Sequence, residues 1–325
     1  MTNKIKIAIV GWGNVGRGVE AAIKQINDMT ISAVISRDTD RVKKEIDNRL
    51  PMFSTEKVNE VKADLAILCG GSATDLPYQG PFYANLFNTV DSFDTHSDIP
   101  KYFAAMNEVS QSKKHISIIS AGWDPGTFSL ERVLANSFIP QSKAYTFWGR
   151  GVSQGHSQAI RAIEGVADGI QYTVPAEQAL ATVRSGTNPE LTTRQKHTRE
   201  CFIALKPGAD EKKIKELIVN MPKYFSDFDT TVTIESAEQV AERRKAMPHT
   251  GFVITSGKTG NNKALIEYRN QWDSNPDATA CILVACARAA FRLRQEGRCG
   301  ALTMLDIPPS YYSPLSHAEL LRDWM

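Results

Sequence analysis

The feature that most constrains the fold of this chain is a cluster of glycines directly after an apolar segment near the N-terminus. Residues 4–10 alternate and then run apolar, as a buried parallel strand does. Residues 11–16 read GWGNVG, the pattern G-x-G-x-x-G, and apolar residues at helical spacing follow it. In this context the first glycine permits a tight turn, the second lets the backbone approach a pyrophosphate, and the third lets helix and strand pack closely. The segment therefore predicts a Rossmann unit that binds a dinucleotide.

The residues after the second predicted strand, 31–35, bear on which dinucleotide binds. An acidic residue at this place holds the ribose 2′-hydroxyl of NAD, whereas an arginine fits the 2′-phosphate of NADP. Ser36 and Arg37 stand there, and Arg41 could supply a second cation. Asp38 places a carboxylate next to the same site and argues against a strict preference for NADP. Arg37 could also be a solvated surface residue. On balance the sequence favours NADP over NAD.

Strands and helices alternate through the first part of the chain. Segments 63–69, 89–92 and 116–121 are typical of further strands, and 99–112 of a helix between them. This alternation predicts an α/β fold with a doubly wound parallel sheet. After Gly122 the pattern becomes mixed α+β, with a helix at 211–219 and several strands that we expect on one mixed sheet. These strands are expected at 144–148, 170–174, 201–205, 230–234, 251–256 and 264–269.

The length of 325 residues is too great for one ordinary core, so two domains are expected. We predict an N-terminal dinucleotide-binding domain over residues 1–121, with residues 297–325 packing back on it. Residues 122–296 would form an α+β domain for substrate binding and dimerisation. The strongly apolar segment 278–295 is typical of a helix, and Gly297 and Gly300 are acceptable stop signals for it.

Composition excludes several classes of protein. Apolar residues make up 42% of the chain and charged residues 23%, which is unlike a collagenous or disordered sequence. A net charge of +2 gives no electrostatic reason to expect nucleic acid or membrane as a partner. No apolar run approaches the roughly 18 residues of a membrane span, and there is no signal-peptide pattern. The five cysteines form no C-x-x-C pair, so we expect no disulfide framework, no metal site and a reducing cytoplasm.

Eight segments spread over the chain carry a resemblance to a known family. They are VGWGNVG (10–16), GSATDLP (71–77), VDSFDTH (90–96), SAGWDPG (120–126), FWGRGVSQGHS (147–157), QYTVP (171–175), RECF (199–202) and MPH (247–249). GWDPG and SQGHS, in this order and at these places, are the most specific. Along essentially its whole length the chain resembles the meso-diaminopimelate D-dehydrogenase family. The resemblance implies a homodimeric, NADP-dependent oxidoreductase of lysine and diaminopimelate biosynthesis. It would deaminate the D-centre of meso-2,6-diaminopimelate reversibly to L-2-amino-6-oxopimelate and ammonia.

The resemblance also implies which residues form the sites. Asp94 and Asp124 would be the catalytic residues. The cofactor would contact Gly11, Trp12, Gly13, Asn14, Val15, Gly16, Ser36, Arg37, Gly71, Ser72, Ala73, Thr74, Ser92, Phe93, Asp94, Gly122, Trp123, Asp124 and Pro125. The substrate would contact Asp94, Trp123, Asp124, Trp148, Gln154, Gly155, Thr173, Arg199, His249 and Asn275.

These residue types suit a substrate that carries an ammonium and a carboxylate at both ends. Asp94 and Asp124 can accept hydrogen bonds from the reacting ammonium, and either carboxylate, or solvent, could take its proton. Arg199, with Thr173 and His249, can bind the distal carboxylate by charge-assisted hydrogen bonds. Tryptophans can provide flat walls that exclude water. Hydride transfer belongs to the cofactor, so the protein chiefly supplies orientation.

Departures from the family pattern leave alternatives open. The family often has tyrosine at Trp12, arginine at Asp38, aspartate at Gln158 and glycine at Thr250. Because glutamine cannot hold a distal ammonium by charge, a D-amino-acid dehydrogenase with another side-chain preference is a second candidate. A non-catalytic NADP-binding sensor is a third, since a fold does not determine a function.

Individual residues also have structural alternatives. Asp124 could simply form a turn with the proline and glycine that follow it, and Arg199 could form a solvated pair with Glu200. The two tryptophans could belong to the hydrophobic cores.

Overall fold

A computed structural model describes residues 4–47, 49–222 and 224–325, and the side chain of Gln154 lies outside this description. The chain forms two compact units. The first comprises Met1–Leu130 and Pro276–Met325, and the second comprises Glu131–Asn275. Both junctions differ from the predicted domain boundaries at 121/122 and 296/297.

Strands and helices follow one another along the described part of the chain. The strands are β1 (Ile5–Val10), β2 (Met29–Ile35), β3 (Met52–Phe53), β4 (Leu65–Leu68), β5 (Asn88–Asp91), β6 (Ile116–Ile118), β7 (Gln141–Trp148), β8 (Gly151–Val152), β9 (Val166–Pro175), β10 (His197–Leu205), β11 (Asp229–Ile234), β12 (His249–Thr259), β13 (Asn262–Trp272) and β14 (Gly300–Leu302). The helices are α1 (Asn14–Lys24), α2 (Thr39–Ile46), α3 (Leu76–Ala84), α4 (Ile99–Lys113), α5 (Phe128–Phe138), α6 (Gln154–Arg161), α7 (Glu177–Arg184), α8 (Thr193–Lys196), α9 (Glu211–Val219), α10 (Ala237–Lys245), α11 (Asn275–Gln295) and α12 (His317–Trp324). Within the described ranges, none of these helices is long and apolar enough to cross a bilayer.

The first unit is built on one parallel sheet. Its strand order is β14-β6-β5-β4-β1-β2-β3, and every pairing in it is parallel. The predicted doubly wound parallel sheet is thus confirmed. Sequence reasoning missed β3 and β14, because two or three residues are too few to show a period. Gly300, predicted to lie beyond the end of a helix, also begins β14 and pairs with Ile116.

Two hydrophobic cores cover the two faces of this sheet. Ile7 and Ile9 point into one core, together with residues of α1 and α11. Ala8 and Val10 point into the other, together with residues of α3 and α4. This alternation along β1 follows from the two-residue period of a strand, and it explains why the strands are apolar throughout.

Helix α11 belongs to the first unit because its apolar face completes one of these cores. A Cβ atom at Gly18 of α1 would lie 2.8 Å from the Cβ of Ala280, so the absence of a side chain lets the two helices approach. Arg288 is buried, and its guanidinium bonds Asp28 and the carbonyl of Tyr312. These contacts tie the helix and the C-terminal segment to the strands of this unit.

The second unit contains two sheets: the predicted mixed sheet is confirmed, and a further sheet takes up some of the strands that were expected on it. The mixed sheet has the order β11-β10-β9-β8, with β10 and β11 parallel and the other pairs antiparallel. The other sheet, β13-β12-β7, is antiparallel. Strands β12 and β13 form a hairpin that turns at Gly260, whose φ is +60°, and pairs along its full length. Sequence patterns indicate that these strands exist, but they do not show which distant strand each will join.

Candidate functional site

The glycine loop in the first unit has the geometry of a phosphate-binding turn. Gly11 has a φ of +93°, a conformation that favours glycine. A Cβ at Gly16 would lie 2.3 Å from the carbonyl oxygen of Gly11, so only glycine fits where the helix packs on the strand. At Gly13 a Cβ would meet no protein atom within 4 Å. Gly13 precedes α1, so the open space lies where free helical N–H groups can meet an anion.

The carboxylate of Asp38 is engaged in the structure of helix α2. It accepts a hydrogen bond from the backbone N–H of Arg41 at 3.1 Å and lies 3.4 Å from the Arg41 guanidinium. Asp38 is therefore the N-cap of the helix. Arg37 is 74% exposed, and its guanidinium lies 3.1 Å from the carboxylate of Asp75. Ser36 is buried, and its hydroxyl accepts from the N–H of Asp38 at 3.1 Å. Both charged residues after β2 therefore have a partner, Asp75 for Arg37 and the N-terminus of α2 for Asp38, and Arg37 is the more exposed of the two.

Ser72 joins two of the predicted cofactor loops. Its hydroxyl accepts a hydrogen bond from the N–H of Asp94 at 2.8 Å and lies 3.4 Å from the hydroxyl of Thr95. At the start of the same loop, the N–H of Gly71 donates to the Asp75 carboxylate at 2.9 Å. The loops after β4 and β5 are therefore held side by side at the carboxyl edge of the sheet, where ligands of such sheets bind.

Asp91, at the end of β5, is a residue that sequence reasoning missed. Its fully buried carboxylate accepts hydrogen bonds from the N–H groups of Phe93 at 3.0 Å and Ser120 at 3.1 Å. The hydroxyl of Tyr102 donates to its second oxygen at 2.8 Å. Burial raises the pKa of Asp91 to about 6, against the lowering effect of these hydrogen bonds. The sequence does show an acidic residue at the end of this strand. It does not show the role of Asp91, because the partner Ser120 lies far along the chain.

The predicted catalytic aspartates lie in the two loops that Asp91 holds. Asp94 is exposed, three residues after the end of β5. Asp124 is half-buried and extended in an irregular turn, with φ −147° and ψ 99°. Trp123 is buried, and its ring centroid lies 4.3 Å from that of Phe128. This burial agrees with the alternative that Trp123 packs in the interior.

In the second unit, Thr173 and Arg199 stand directly opposite each other on β9 and β10. A guanidinium nitrogen of Arg199 donates to the hydroxyl of Thr173. The side-chain amide of Gln171 donates to the same hydroxyl at 3.2 Å. All three side chains are buried. They form a polar cluster on one face of the mixed sheet.

Arg199 has no carboxylate partner within ion-pair distance in the described part of the chain. Its guanidinium carbon lies 3.8 Å from the ring centroid of Phe228, and its Nε has no hydrogen-bond partner there. Burial lowers the pKa of Arg199 to about 10. Glu200 instead lies 2.6 Å from Arg150, so the alternative of a solvated Arg199–Glu200 pair is wrong. A buried cation without a counter-ion is costly, and a guanidinium in this position can pair with an anionic ligand.

Two histidines and a tryptophan lie next to this cluster. The ring of Trp148 stacks on His197 with centroids 5.1 Å apart, and the backbone N–H of Trp148 donates to Nε2 of His197 at 2.9 Å. Trp148 is 37% exposed, so the alternative that it is a core residue is wrong. Burial, reinforced by Arg199, lowers the pKa of His197 to about 3, and burial lowers that of His249 to about 4. Both rings are therefore neutral near pH 7, and the positive charge of the cluster belongs to Arg199.

Gly151 connects His249 with Thr173. It pairs with Thr173 across β8 and β9, and a Cβ at Gly151 would lie 3.6 Å from Nδ1 of His249. The N–H of Asn275 donates to the carbonyl of Met247 at 2.8 Å, two residues before His249. The structure thus brings Trp148, Thr173, Arg199 and His249 together and holds Asn275 on the adjoining chain segment.

The N-terminus of α6 carries the remaining predicted substrate residues. The side chain of Gln154 lies outside the described residues. Gly155 is exposed, and a Cβ there would meet no protein atom within 4 Å. Gln158, where the family often has aspartate, is exposed on the same helix. In the described ranges, no group of three or more His, Cys, Asp or Glu side chains could hold a metal ion.

Comparison with known proteins gives one consistent result. Residues 122–274 match the family model of the diaminopimelic acid dehydrogenase C-terminal domain. A meso-diaminopimelate D-dehydrogenase of Ureibacillus thermosphaericus is 50% identical over 324 residues, which cover 99% of this chain and 99% of that protein.

Solved structures agree with these relatives over the whole chain. The DAP dehydrogenase of Corynebacterium glutamicum in complex with DAP superposes with a TM-score of 0.92 at 40% identity, and 100% of each chain is covered. An engineered D-amino acid dehydrogenase bound to NADP+ superposes with a TM-score of 0.86 at 38% identity, covering 99% of this chain and 100% of that one.

Proposed function

Because this chain belongs to the meso-diaminopimelate D-dehydrogenase family, we propose that it deaminates meso-2,6-diaminopimelate oxidatively at the D-centre. The products are L-2-amino-6-oxopimelate and ammonia, and the reaction is reversible. The observation that carries this proposal is the buried Arg199, which bonds Thr173 and has no carboxylate partner in the described part of the chain. A diamino diacid supplies the missing carboxylate at the end that does not react.

The residues of the glycine loop fit a dinucleotide. The space at Gly13 and the close packing at Gly16 are those of a pyrophosphate turn. Residues 71–74, 92–94 and 122–125 complete the proposed cofactor set. NADP is favoured over NAD because Arg37, which contacts Asp75, is a 74% exposed cation that can turn to a phosphate, whereas the Asp38 carboxylate is bonded as a helix cap. When bound, the nicotinamide supplies the acceptor for the hydride of the D-centre.

Asp94 and Asp124 would hold the reacting ammonium. Their carboxylates accept N–H hydrogen bonds and so orient the Cα–H bond. One ammonium proton must leave, and either carboxylate, or solvent, can take it. Once the Cα–H has also left as hydride, the carbon is an iminium centre, to which water adds before ammonia departs. Trp123 would form an apolar wall that limits access of other water molecules.

The distal end of the substrate would bind in the second unit. Arg199 donates to the distal carboxylate, assisted by Thr173 and by the neutral ring of His249. Trp148, which is partly exposed above His197, would cover the aliphatic chain. Gln154, Gly155 and Asn275 would complete the contacts.

A D-amino-acid dehydrogenase with another side-chain preference is the second candidate. Gln158 favours it, because a neutral and exposed glutamine provides no charge for the distal ammonium. The buried Arg199 nevertheless argues for a substrate with a distal carboxylate.

We also propose a homodimer on the family resemblance. All five cysteines are free thiols, which suits the proposed cytoplasmic location.

Initial rates with a panel of amino acids test the proposal. We expect NADP+ reduction with meso-diaminopimelate to exceed that with D-lysine and D-leucine, and NADP+ to be preferred to NAD+. Faster turnover of D-leucine would reject the diacid in favour of the second candidate. NADPH binding without turnover of any amino acid would favour a sensor.

A further inference from the structure

Gln171 is a fully buried polar side chain to which the proposed reaction assigns no role. It lies on β9, two residues before Thr173, so both side chains point to the same face of the sheet. Its backbone N–H donates to the hydroxyl of Ser157 at 3.0 Å, and its side-chain amide donates to the Thr173 hydroxyl at 3.2 Å. Its amide oxygen has no hydrogen-bond partner in the described residues.

Packing alone does not account for a glutamine at this position. A buried amide oxygen without a donor is costly, and a methionine of similar size would fill the same space without that cost. The hydrogen bond to Thr173 is therefore the contact that explains the residue type.

The hydroxyl of Thr173 has one hydrogen to donate and two lone pairs to accept with. Arg199 and Gln171 both donate to this oxygen, so both lone pairs are occupied. The remaining O–H must then point to a third group. No hydrogen bond among the described residues uses this O–H as its donor, which leaves the hydrogen available to a ligand.

We propose that Gln171 is a positioning residue that makes the Thr173 hydroxyl a donor to the distal carboxylate of the substrate. This role rests on the proposed function, because it needs a substrate with an anionic far end. With Gln171 in place, Thr173 and Arg199 present hydrogens side by side, which suits a carboxylate and disfavours an ammonium or amide N–H. Without Gln171, Arg199 is the one remaining donor to the hydroxyl among the described residues, so its O–H is no longer held in the direction of the ligand.

A double-mutant cycle with Gln171→Met and Thr173→Val tests this inference. We expect Gln171→Met to raise KM for meso-diaminopimelate about tenfold with little change in kcat, the size of one charge-assisted hydrogen bond. Thr173→Val should raise KM at least as much. The double variant should match Thr173→Val, because Gln171 has nothing to position once the hydroxyl is gone.

Gln171→Glu is the second variant, in case the methionine variant folds poorly. Its carboxylate accepts the Thr173 hydrogen and neutralises Arg199, so KM should rise more than with Gln171→Met. Tyr172→Phe is the matched control, since it changes the next residue of β9 on the opposite face. NADPH affinity and the melting temperature of each variant report on the integrity of the protein.

The outcomes separate the inference from the proposed function. If the wild-type protein oxidises meso-diaminopimelate and KM of Gln171→Met and Gln171→Glu stays within about twofold, the positioning role is overturned and the reaction stands. Additive effects of Gln171→Met and Thr173→Val would also overturn it, because they indicate independent structural roles. If the wild-type protein does not oxidise the diacid at all, the proposed function fails and the inference fails with it.

Discussion

Replacing Arg199 by methionine should weaken diacid binding and at the same time stabilise the free protein. Burial lowers the pKa of Arg199 to about 10, well below its ordinary value, which corresponds to about 3 kcal/mol against the charged form. The contacts with Thr173 and Phe228 offset part of this cost, by about 1 kcal/mol each. A methionine of similar length removes the cost of burying the charge and also removes these two contacts. We therefore expect the free energy of unfolding to rise by about 1 kcal/mol.

The same substitution removes the cation that would meet the distal carboxylate. Truncating one partner of a buried charge pair costs about 2–5 kcal/mol, which predicts a rise in KM of at least about thirtyfold. NADPH affinity should not change, because the loops proposed to bind the cofactor lie in the first unit. Steady-state kinetics, NADPH titration and thermal melting measure the three quantities on the same preparations.

Arg194 provides the matched control for this experiment. It lies in the same unit, but its side chain is 49% exposed and pairs with Asp229. Arg194→Met should change KM by less than about twofold, because exposed pairs contribute about 0–1 kcal/mol. An unchanged KM for the diacid in Arg199→Met would refute the role of Arg199. A marked loss of stability would refute the argument from its burial.

Three further substitutions test the first unit. Gly13→Ala should raise the Kd for NADPH about tenfold without lowering the melting temperature, because the added methyl group meets no protein atom within 4 Å and would meet only the bound pyrophosphate. Arg37→Met should raise KM for NADP+ about tenfold and leave KM for NAD+ unchanged, as expected for one lost phosphate contact. Asp91→Asn should change the pH dependence of unfolding. The raised pKa of Asp91, about 6, means that this group destabilises the fold increasingly as pH rises from about 4 to 6, by about 3 kcal/mol in all. The asparagine variant should lack that contribution.

Each of these three predictions has an outcome that would contradict it. Tight NADPH binding by Gly13→Ala would mean that the pyrophosphate binds elsewhere. Gly16→Ala is the control for a variant that loses stability, because its added methyl group clashes with the protein itself. Equal effects of Arg37→Met on NADP+ and NAD+ would remove the argument for the 2′-phosphate. For Asp91→Asn, parallel stability curves of variant and wild type between pH 4 and 7 would show that Asp91 does not titrate in this range.

Sequence patterns were sufficient where the determinants are local. The β1 strand, the glycine loop and α1 follow one another within 24 residues, and the structure confirms the predicted parallel sheet. The sorting of β7 to β13 into two sheets was not predictable, since it depends on pairing between strands far apart in the chain.

In the candidate site, too, local features could be predicted from the sequence and contacts between distant segments could not. The residue types of Arg199 and Thr173 could be read from the sequence, but the burial of Arg199 depends on Phe228, a residue of another segment. Asp91 and His197 were missed because their roles depend on distant partners. Asp91 accepts from the backbone N–H of Ser120, and His197 accepts from the backbone N–H of Trp148. Neither contact leaves a pattern within a short stretch of sequence.

The most direct test of the account compares the stereoisomers of diaminopimelate. The purified protein is incubated with NADP+ and either the meso or the L,L isomer, and NADPH and ammonia are measured together. We predict that the meso isomer gives equal amounts of NADPH and ammonia and that the L,L isomer, which has no D-centre, gives neither. Oxidation of the L,L isomer at a similar rate, or NADPH formed without ammonia, would contradict the account.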